Sequence, residues 1–520
     1  MENPIKYKAL PLLTLSLALS GCYENSWSNW FKTETVTPMI MGAPNSASQL
    51  VNAVSQASQA GKRIRMTGNG HSMSDIAITN EVLMTPEALN KALNVDNSRL
   101  KTQDNSLVRV QSGIKIADLN NFLDSKGRAL LNMGGYDGQT LAGIMMTATH
   151  GSGLAYGPVA DAVVSLQMVV DGGKMVQIEP SNGITNPATF TGRLEEDANI
   201  RVQLIQDDDA FNAARISLGS MGVVYAITLK TDQKFWLREV RHLIKWSELK
   251  KQGGLLERAI NRQAIYGDNQ PSPEHWELQY TPYADDKGDH TFLITDRYRS
   301  YSPLPEQAAT ERGQAGADFG SALLTVVGAP AAGILDLFPA LAKPLLETAL
   351  SSQVDDNYTN VSYKVFNIGV VNHTPVYGIE TAFRLDQIVS AIERSFTIND
   401  ALFAKGIPHT APIAIRFVKQ SDGLIAMQQG RDTGFMEVIV LRDGKNAKNL
   451  LQSHISTYRQ SFNARPHWGL DLNSITSDSQ ARALYPDTWD RWKNQYRRFN
   501  VTGTFDGKVT DRLGISVRPR

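Results

Sequence analysis

Two short turns, each rich in glycine and centred on a histidine, constrain the fold of this chain more than any other feature. They read Gly68-Asn69-Gly70-His71-Ser72 and Thr149-His150-Gly151-Ser152-Gly153. Small residues leave the main chain uncovered, so the backbone N–H groups of such turns can approach a bound anion closely. Two turns of this kind in one domain indicate an anion longer than a single phosphate, such as the pyrophosphate of a dinucleotide.

The segments around the two turns carry both helix and strand patterns. Neither turn has the G-x-G-x-x-G spacing that begins a helix in a Rossmann unit, so we expect a different dinucleotide-binding fold. Apolar spacing predicts helical segments over 48–60, 116–126 and 211–215. Runs of apolar and β-branched residues predict strands over 62–67, 107–110, 163–170, 176–178 and 223–229, with Asp171-Gly172-Gly173 as a hairpin turn. This mixture indicates an α+β domain.

Six motifs in a fixed order resemble one known family. They are Arg65–Ser72, Val108–Gly113, Leu131–Gly134, Gln139–Gly143, Thr147–Gly153 and Leu218–Val224. In this order they resemble the FAD domain of the vanillyl-alcohol oxidase superfamily, which has the PCMH-type FAD-binding fold. The resemblance is strongest to the aldonolactone and alditol oxidase branch. It covers residues 45 to 235 and resumes more weakly in the last third of the chain.

The resemblance implies the following organisation. An α+β FAD-binding domain of the PCMH type, built from two subdomains, is expected over residues 39–235. An α+β cap domain with a large antiparallel sheet, which holds the substrate, is expected over 236–465. A C-terminal segment, 466–520, is expected to return to the FAD-binding domain. A length of 520 residues is ample for two domains with cores of their own.

The resemblance also implies FAD as cofactor, bonded covalently through His71. That bond needs a neutral imidazole nitrogen as nucleophile, held by a rigid turn. His71 could instead only hydrogen-bond its own loop, and His150 is the competing attachment site. The other residues expected to contact the cofactor are Gly68, Asn69, Gly70, Ser72, Gly143, Thr149, His150, Gly151, Ser152, Gly153, Gly222 and Val223.

The catalytic residues are expected in the segment that begins at Pro408. It resembles the family segment with a Glu-x-Arg pair, whose members face the same side of a strand. This chain keeps Arg416 but has Ala414 in place of the glutamate. We predict Arg416, His409 and Glu437, which could supply a replacement carboxylate from a neighbouring strand, as catalytic residues.

Two further positions concern the substrate pocket. Arg465–Leu470 resembles the family's His-Trp motif, but Leu470 stands where the family has a lysine. Together with Ala414, this change predicts a more apolar pocket than that of a sugar-alcohol oxidase. Glu380 could also face the pocket, although we favour a structural role for it.

These observations predict an FAD-dependent oxidoreductase that oxidises an alcohol CH–OH group by hydride transfer to flavin N5. The family implies a sugar-acid lactone or related alcohol as substrate, and dioxygen or another acceptor for the electrons. Ala414 and Leu470 leave open a larger apolar alcohol, such as a sterol. A different class also stays open, namely a non-catalytic envelope lipoprotein that retains the flavoprotein fold.

Charge and metal-ligand spacing exclude two other classes. Lys+Arg and Asp+Glu both number 52, so the formal net charge is +0. Proteins that bind nucleic acid normally have a basic patch or a strongly basic composition, and we predict no nucleic-acid partner. The histidines show no H-x-x-H or H-E-x-x-H spacing, so we predict no metal site.

The first residues resemble a secretory signal. Lys6 and Lys8 precede an apolar stretch over 9–19, which is too short to cross a membrane as a helix. We therefore predict a signal peptide over residues 1–21. The alternatives at its end are a lipobox or an ordinary cleavage site beside a chance cysteine.

The lipobox is the interpretation that we favour, because Leu19-Ser20-Gly21-Cys22 contains the only cysteine of the chain. It implies lipidation of Cys22 and a polar tether over 22–38. Tyr23 follows where lipoproteins of the inner membrane usually have Asp. We therefore expect membrane attachment through a lipid anchor in the bacterial cell envelope, at the outer membrane and facing the periplasm.

Overall fold

The structure is a computed structural model that describes residues 26–267, 270–305, 331–367 and 376–519. Cys22 and the expected signal peptide lie outside these residues. Within the described ranges, no helix combines the length and apolar character needed to cross a membrane. We call residues 26–235 the N-terminal region and 236–466 the sheet region.

The strands range from two residues in β1 to ten in β14 and β16. In chain order they are β1 (Trp27–Ser28), β2 (Thr35–Val36), β3 (Ile40–Gly42), β4 (Ile64–Met66), β5 (Val82–Met84), β6 (Ala92–Leu93), β7 (Leu107–Gln111), β8 (Arg128–Ala129), β9 (Val163–Val170), β10 (Lys174–Glu179), β11 (Val202–Gln206), β12 (Val223–Lys230), β13 (Asp232–Gln233), β14 (Trp236–Lys245), β15 (His275–Tyr280), β16 (Thr291–Ser300), β17 (Asp355–Val361), β18 (Val376–Arg384), β19 (Ile413–Val418), β20 (Thr433–Leu441) and β21 (Arg465–Pro466).

The α-helices of the described residues lie between and after these strands. They are α1 (Ala47–Gln59), α2 (Ile116–Ser125), α3 (Leu141–Met146), α4 (Asp208–Arg215), α5 (Trp246–Leu249), α6 (Leu255–Ile260), α7 (Ala331–Leu337), α8 (Ala342–Ser351), α9 (Ser362–Phe366), α10 (Ile388–Phe403), α11 (Ala447–Phe462), α12 (Asp478–Leu484), α13 (Trp489–Phe499) and α14 (Lys508–Arg512). The α+β class is confirmed.

The N-terminal region contains two larger sheets and two two-stranded ones, β1-β2 and β13-β8. A three-stranded parallel sheet has the order β3-β5-β4, and a six-stranded sheet has the order β11-β10-β9-β12-β7-β6. Helix α1 packs between them because Leu50, Val54 and Ala57 recur at helical spacing and are all fully buried. The Ser46 side chain caps this helix by accepting a hydrogen bond from the Gln49 N–H.

The predicted hairpin at Asp171-Gly172-Gly173 is confirmed. Strands β9 and β10 pair antiparallel on either side of it. Gly172 and Gly173 both have φ of +76°, which favours glycine over any residue with a side chain. Asp171 accepts hydrogen bonds from the hydroxyls of Thr502 and Thr504, so the hairpin also anchors the C-terminal part of the chain.

The sheet region is built on one large, mainly antiparallel sheet, as predicted. Its strand order is β17-β14-β16-β15-β19-β20-β18-β21. Side chains of a strand alternate between the two faces of a sheet. One face carries Ile379, Ile413 and Met436 and packs against helices α10 and α11. The other face is turned toward the N-terminal region.

Residues beyond β21 pack on the N-terminal region. The Trp492 indole N–H in α13 donates to the Ile216 carbonyl at 2.9 Å. The Ile64 N–H donates to the Thr504 carbonyl at 2.8 Å, beside the first glycine turn. These contacts hold the C-terminal segment against the N-terminal region.

Candidate active site

A cavity of about 320 Å³ lies between the N-terminal region and the open face of the large sheet. Eight of the predicted cofactor residues line it, and these come from both glycine turns and from α3. They are Gly68, Asn69, Gly70, His71, Ser72, Gly143, Thr149 and His150. The predicted catalytic residues Arg416 and Glu437 line the opposite wall. The structure therefore brings the two predicted groups together around one space.

The first turn requires glycine for steric reasons. A Cβ atom on Gly68 would lie 2.8 Å from Thr140 Oγ1, and Gly70 has φ of +75°. Thr140 caps α3 by accepting from the Gly143 N–H. The turn and the start of α3 thus meet at backbone distance and leave their main chains open to the cavity.

Five predicted cofactor residues, Gly151, Ser152, Gly153, Gly222 and Val223, lie outside the lining of this cavity, and their contact with FAD stays a prediction. Ser152 Oγ donates to the Trp276 carbonyl and accepts from the Phe417 N–H, while the Gly153 N–H donates to the Phe417 carbonyl. Ser152 and Gly153 therefore fasten the second turn to the large sheet. Gly222 and Val223 lie against β9, and Leu218 and Gly219 line the cavity instead.

His71 is held between two aromatic rings. Its imidazole stacks on Trp30 at a centroid distance of 5.4 Å and lies 4.6 Å from the ring of Tyr136. Burial lowers the pKa of His71 to about 4, so the ring is neutral at neutral pH. Its Nε2 atom is buried and has no hydrogen-bond partner among the described residues.

The aromatic partner Trp30 belongs to a small hairpin that the sequence analysis missed. Strands β1 and β2 form it, within the stretch predicted to be a tether. The Trp30 N–H donates to the Gly70 carbonyl at 2.8 Å, and Asn29 Nδ2 donates to the Ser72 carbonyl at 2.8 Å. Residues 27–36 are therefore a folded wall of the cavity rather than a tether. The three aromatic residues Trp27, Trp30 and Phe31, which lie within five positions, are the feature of the sequence that indicates a folded segment here.

On the opposite wall, four strands place one residue each in a single row across the sheet. The register pairs Gln279 with Ala414, Ala414 with Glu437, and Glu437 with Glu380. All four line the cavity. Glu437 lies directly across from Ala414, the position where the family has its glutamate, which supports its prediction as the replacement carboxylate.

Arg416 is surrounded by three carboxylates. Its Nη1 atom lies 2.7 Å from Glu437 Oε2 and 3.4 Å from Glu380 Oε1, and its Nε atom lies 3.5 Å from Glu277 Oε1. These acids outweigh burial and raise the pKa of Arg416, which stays charged. Burial raises the pKa of Glu437; Arg416 opposes that shift, and Glu380 and Glu277 add to it.

Two residues in the cavity wall were underestimated from the sequence. Glu380 was given a structural role, and His467 was only part of a motif, yet both line the cavity. Only the register of β18 against β20 and β21 brings them beside Arg416. His409, in contrast, was predicted to be catalytic but is fully buried outside the cavity lining. Its backbone N–H donates to Tyr283 Oη. We remove His409 from the catalytic candidates.

Three buried groups also converge in a way that resembles a metal site. The ligand atoms of His150, Glu380 and His467 lie within 4.8 Å of one another. However, His467 Nδ1 accepts from the N–H groups of Gly469 and Leu470, so its Nε2 carries the proton of the neutral ring. A histidine that binds a metal donates its second ring nitrogen instead. The arrangement therefore does not fit a metal ion.

Comparisons with known proteins agree with these features. A family model described as an FAD binding domain matches residues 38–179, and one described as D-arabinono-1,4-lactone oxidase matches residues 272–513. Together with the relatives described next, the two matches support the PCMH-type FAD-binding superfamily and, within it, the aldonolactone branch. The protein is an FAD-dependent oxidoreductase.

Individual relatives match either nearly the whole chain or less than half of it. An L-gulono-1,4-lactone dehydrogenase of Mycobacterium tuberculosis is 26% identical over 94% of this chain and 98% of its own length. A D-arabinono-1,4-lactone oxidase of Yarrowia lipolytica is 30% identical over 43% of this chain and 38% of its own. An L-gulonolactone oxidase of Bos taurus is 29% identical over 41% and 42%.

Solved structures support the fold independently. The cholesterol oxidase of Brevibacterium sterolicum superposes with a TM-score of 0.71 over 94% of this chain and 97% of its own. Its sequence is 14% identical, so the similarity concerns the fold alone.

The residues of the cavity fit FAD. The first glycine turn and the start of α3 leave their main chains open to the cavity, where an anion can bind. His71, in the same turn, offers a neutral imidazole whose Nε2 has no hydrogen-bond partner among the described residues. Aromatic and apolar side chains supply surface for a flat ring system.

Proposed function

We propose that this FAD-dependent oxidoreductase oxidises a CH–OH group of an aldonolactone, with the pair Arg416 and Glu437 handling the hydroxyl group. The observation that carries the proposal is the 2.7 Å contact between these two side chains. They line the cavity wall opposite the first glycine turn. Relatives named for D-arabinono-1,4-lactone and L-gulono-1,4-lactone support the substrate class.

The roles of the two side chains follow from their charges. Arg416 is a permanent donor and binds the substrate oxygen, on which negative charge develops as the proton leaves. Glu437 accepts that proton, for which its raised pKa suits it better than an ordinary carboxylate. FAD, when bound, takes the hydrogen of the substrate carbon with its electron pair and later passes the electrons to dioxygen or another acceptor.

The test is anaerobic bleaching of the flavin by L-gulono-1,4-lactone or D-arabinono-1,4-lactone. Glu437→Gln keeps the shape and removes the base, so we expect bleaching to slow by about 10²-fold or more with flavin content unchanged. Glu393→Gln, an exposed change in α10, is the matched control and should bleach at the wild-type rate. A Glu437→Gln variant with full activity would remove this residue from the mechanism.

A second candidate substrate is a larger apolar alcohol, such as a sterol. Leu470, Ile439 and Met73 give the cavity wall near Glu437 an apolar character. In the same bleaching assay, cholesterol in detergent should then react faster than either lactone. A yellow protein that no alcohol bleaches would instead support the non-catalytic envelope protein.

We also propose that FAD is bonded covalently to His71. The support is the neutral imidazole in the turn, whose buried Nε2 atom has no hydrogen-bond partner among the described residues. Flavin that stays on the peptide containing His71 after acid denaturation is the expected result. Flavin that is released entirely would refute the covalent bond and leave FAD binding intact.

Attachment to the membrane is a separate proposal. The lipobox-like sequence that ends at Cys22 supports a lipid anchor in the bacterial outer membrane, facing the periplasm. Cys22→Ser should abolish incorporation of labelled palmitate and release the protein from the membrane fraction. Unchanged labelling would contradict the anchor.

A further inference from the structure

Gln279 lines the cavity with an amide group whose oxygen is not satisfied by the protein. It lies on β15, next to Ala414 in the row of cavity residues across the large sheet. Only 8% of the residue is exposed, and its buried Oε1 atom has no hydrogen-bond partner in the described part of the chain. A buried amide oxygen without a donor costs free energy, and a bound molecule that supplies the donor removes this cost.

The amide of Gln279 is suited to a hydroxyl group. It offers a carbonyl oxygen that accepts and an NH₂ group that donates. The last side-chain torsion of glutamine has only broad preferences, so rotation of the amide can turn either group toward the cavity. A hydroxyl group both donates and accepts, and it therefore matches either orientation.

The charged groups beside Gln279 are already engaged with each other. Arg416 is occupied by its three carboxylates. One of these is Glu277, two residues before Gln279 on the same face of β15, and it also accepts from Arg297 Nη1 at 3.2 Å. The hydrogen-bond partner of Gln279 is therefore to be sought in a molecule that enters the cavity.

The position of Gln279 relative to the reactive pair defines where such a molecule lies. Ala414 separates Gln279 on β15 from Glu437 on β20 in the register, and its side chain ends at Cβ. Adjacent strands lie about 4.8 Å apart, so the backbones of Gln279 and Glu437 are about 10 Å apart. A ligand that lies over Ala414 contacts both side chains at once.

We propose that Gln279 binds a second hydroxyl group of the substrate while Arg416 and Glu437 act on the first, and that it thereby selects a polyhydroxylated alcohol such as an aldonolactone. A sterol carries a single hydroxyl group, which the reactive pair occupies, and it leaves the amide of Gln279 unsatisfied. The inference rests on the proposed function and deepens it by naming the feature of the substrate that Gln279 recognises.

The test combines substitution of Gln279 with removal of single hydroxyl groups from the substrate. The second-order rate constant of anaerobic flavin bleaching is measured for L-gulono-1,4-lactone and for deoxy analogues that each lack one hydroxyl group. In the wild type, one analogue that keeps the reacting hydroxyl should bleach the flavin at least about tenfold more slowly, because it leaves Gln279 unsatisfied.

Gln279→Met keeps the length of the side chain and removes the amide. This variant should bleach at least about tenfold more slowly than the wild type with the parent lactone, and it should no longer prefer that lactone over the critical analogue. Gln203→Met, the same change at an exposed position of β11, is the control and should keep the wild-type rates. Gln279→Asn withdraws the amide by one methylene group and should lose the same preference, so it decides if Gln279→Met does not fold.

The outcomes separate this inference from the proposed function. A Gln279→Met variant that retains the wild-type preference among the lactones would overturn the inference alone. Loss of flavin in both Gln279 variants, or a changed flavin spectrum with the same loss of rate on every analogue, would assign the amide to the flavin and also overturn it. A wild type that neither lactone bleaches would refute the proposed function and the inference with it.

Discussion

At the scale of single residues, the position of one carboxylate distinguishes this chain from the family pattern. The glutamate expected at Ala414 is absent, and Glu437 occupies the facing position on the next strand. Facing residues on adjacent strands have Cβ atoms about 5 Å apart, so both positions can serve the same arginine. Glu437 thus places a carboxylate 2.7 Å from Arg416 from the next strand, which is the arrangement that the proposed mechanism requires.

The position of Glu437 opposite Ala414 predicts what happens when the family's glutamate is restored at residue 414. Ala414→Glu adds a fourth carboxylate around Arg416, so we expect bleaching at least about tenfold slower than in Ala414→Gln, which has the same size without the charge. The double variant Ala414→Glu/Glu437→Gln moves the carboxylate back and should recover activity. Bleaching rates of the three variants, with flavin content measured in each, check the prediction; a faster Ala414→Glu single variant would contradict it.

The site could be predicted in part. Local sequence is enough to predict the glycine turns with His71, because the small residues of a turn stand next to each other in the chain. Arg416 is predicted from the motif around it, and Glu437 from the apolar strand that contains it. The contact of His150 with Glu380 and His467 could not be predicted. It depends on the register of β18 against β20 and β21, which pairs residues far apart in sequence, and a single sequence does not reveal it.

At the scale of elements, local pattern was sufficient wherever a segment has its own periodicity. The predicted strand over 163–170 is observed as β9, and the predicted helix over 116–126 as α2. The hairpin of β1 and β2 was missed because each strand has two residues and no period to recognise. Local hydrogen bonds such as that from Asn29 Nδ2 to Thr33 Oγ1 shape the hairpin, and tertiary hydrogen bonds to Gly70 and Ser72 attach it to the first turn.

The hairpin predicts a property of the first turn. Trp30→Ala removes the ring that stacks on His71, so water reaches the imidazole and its pKa should rise from about 4 toward the ordinary 6.5. NMR titration of the histidine in the flavin-free protein measures this. Met39→Ala, an exposed change shortly after the hairpin, is the control and should leave the pKa at about 4. An unchanged value in Trp30→Ala would show that other residues bury the ring.

At the scale of the whole molecule, buried histidines link stability to pH. Burial lowers the pKa of His71, His409 and His467 to about 4 and that of His275 to about 3, against 6.5 for a free imidazole. These groups bind protons in the unfolded chain at pH values where the folded chain leaves them neutral. The free energy of unfolding therefore has its full value, as far as these histidines are concerned, above about pH 6.5. It falls as the pH decreases toward their pKa values in the folded chain.

His409 isolates this effect because it is buried and lies outside the cavity lining. Because the pKa of His409 falls from 6.5 in the unfolded chain to about 4 in the folded one, this residue lowers the free energy of unfolding by about 2 kcal/mol between pH 7.5 and pH 5. His409→Gln lowers stability at both pH values, but the loss between them should shrink by about that amount. Urea unfolding of the wild type and the variant at both pH values measures the difference. His242→Gln, whose ring is 39% exposed, should change it far less; an equal change would show that burial of His409 is not the cause.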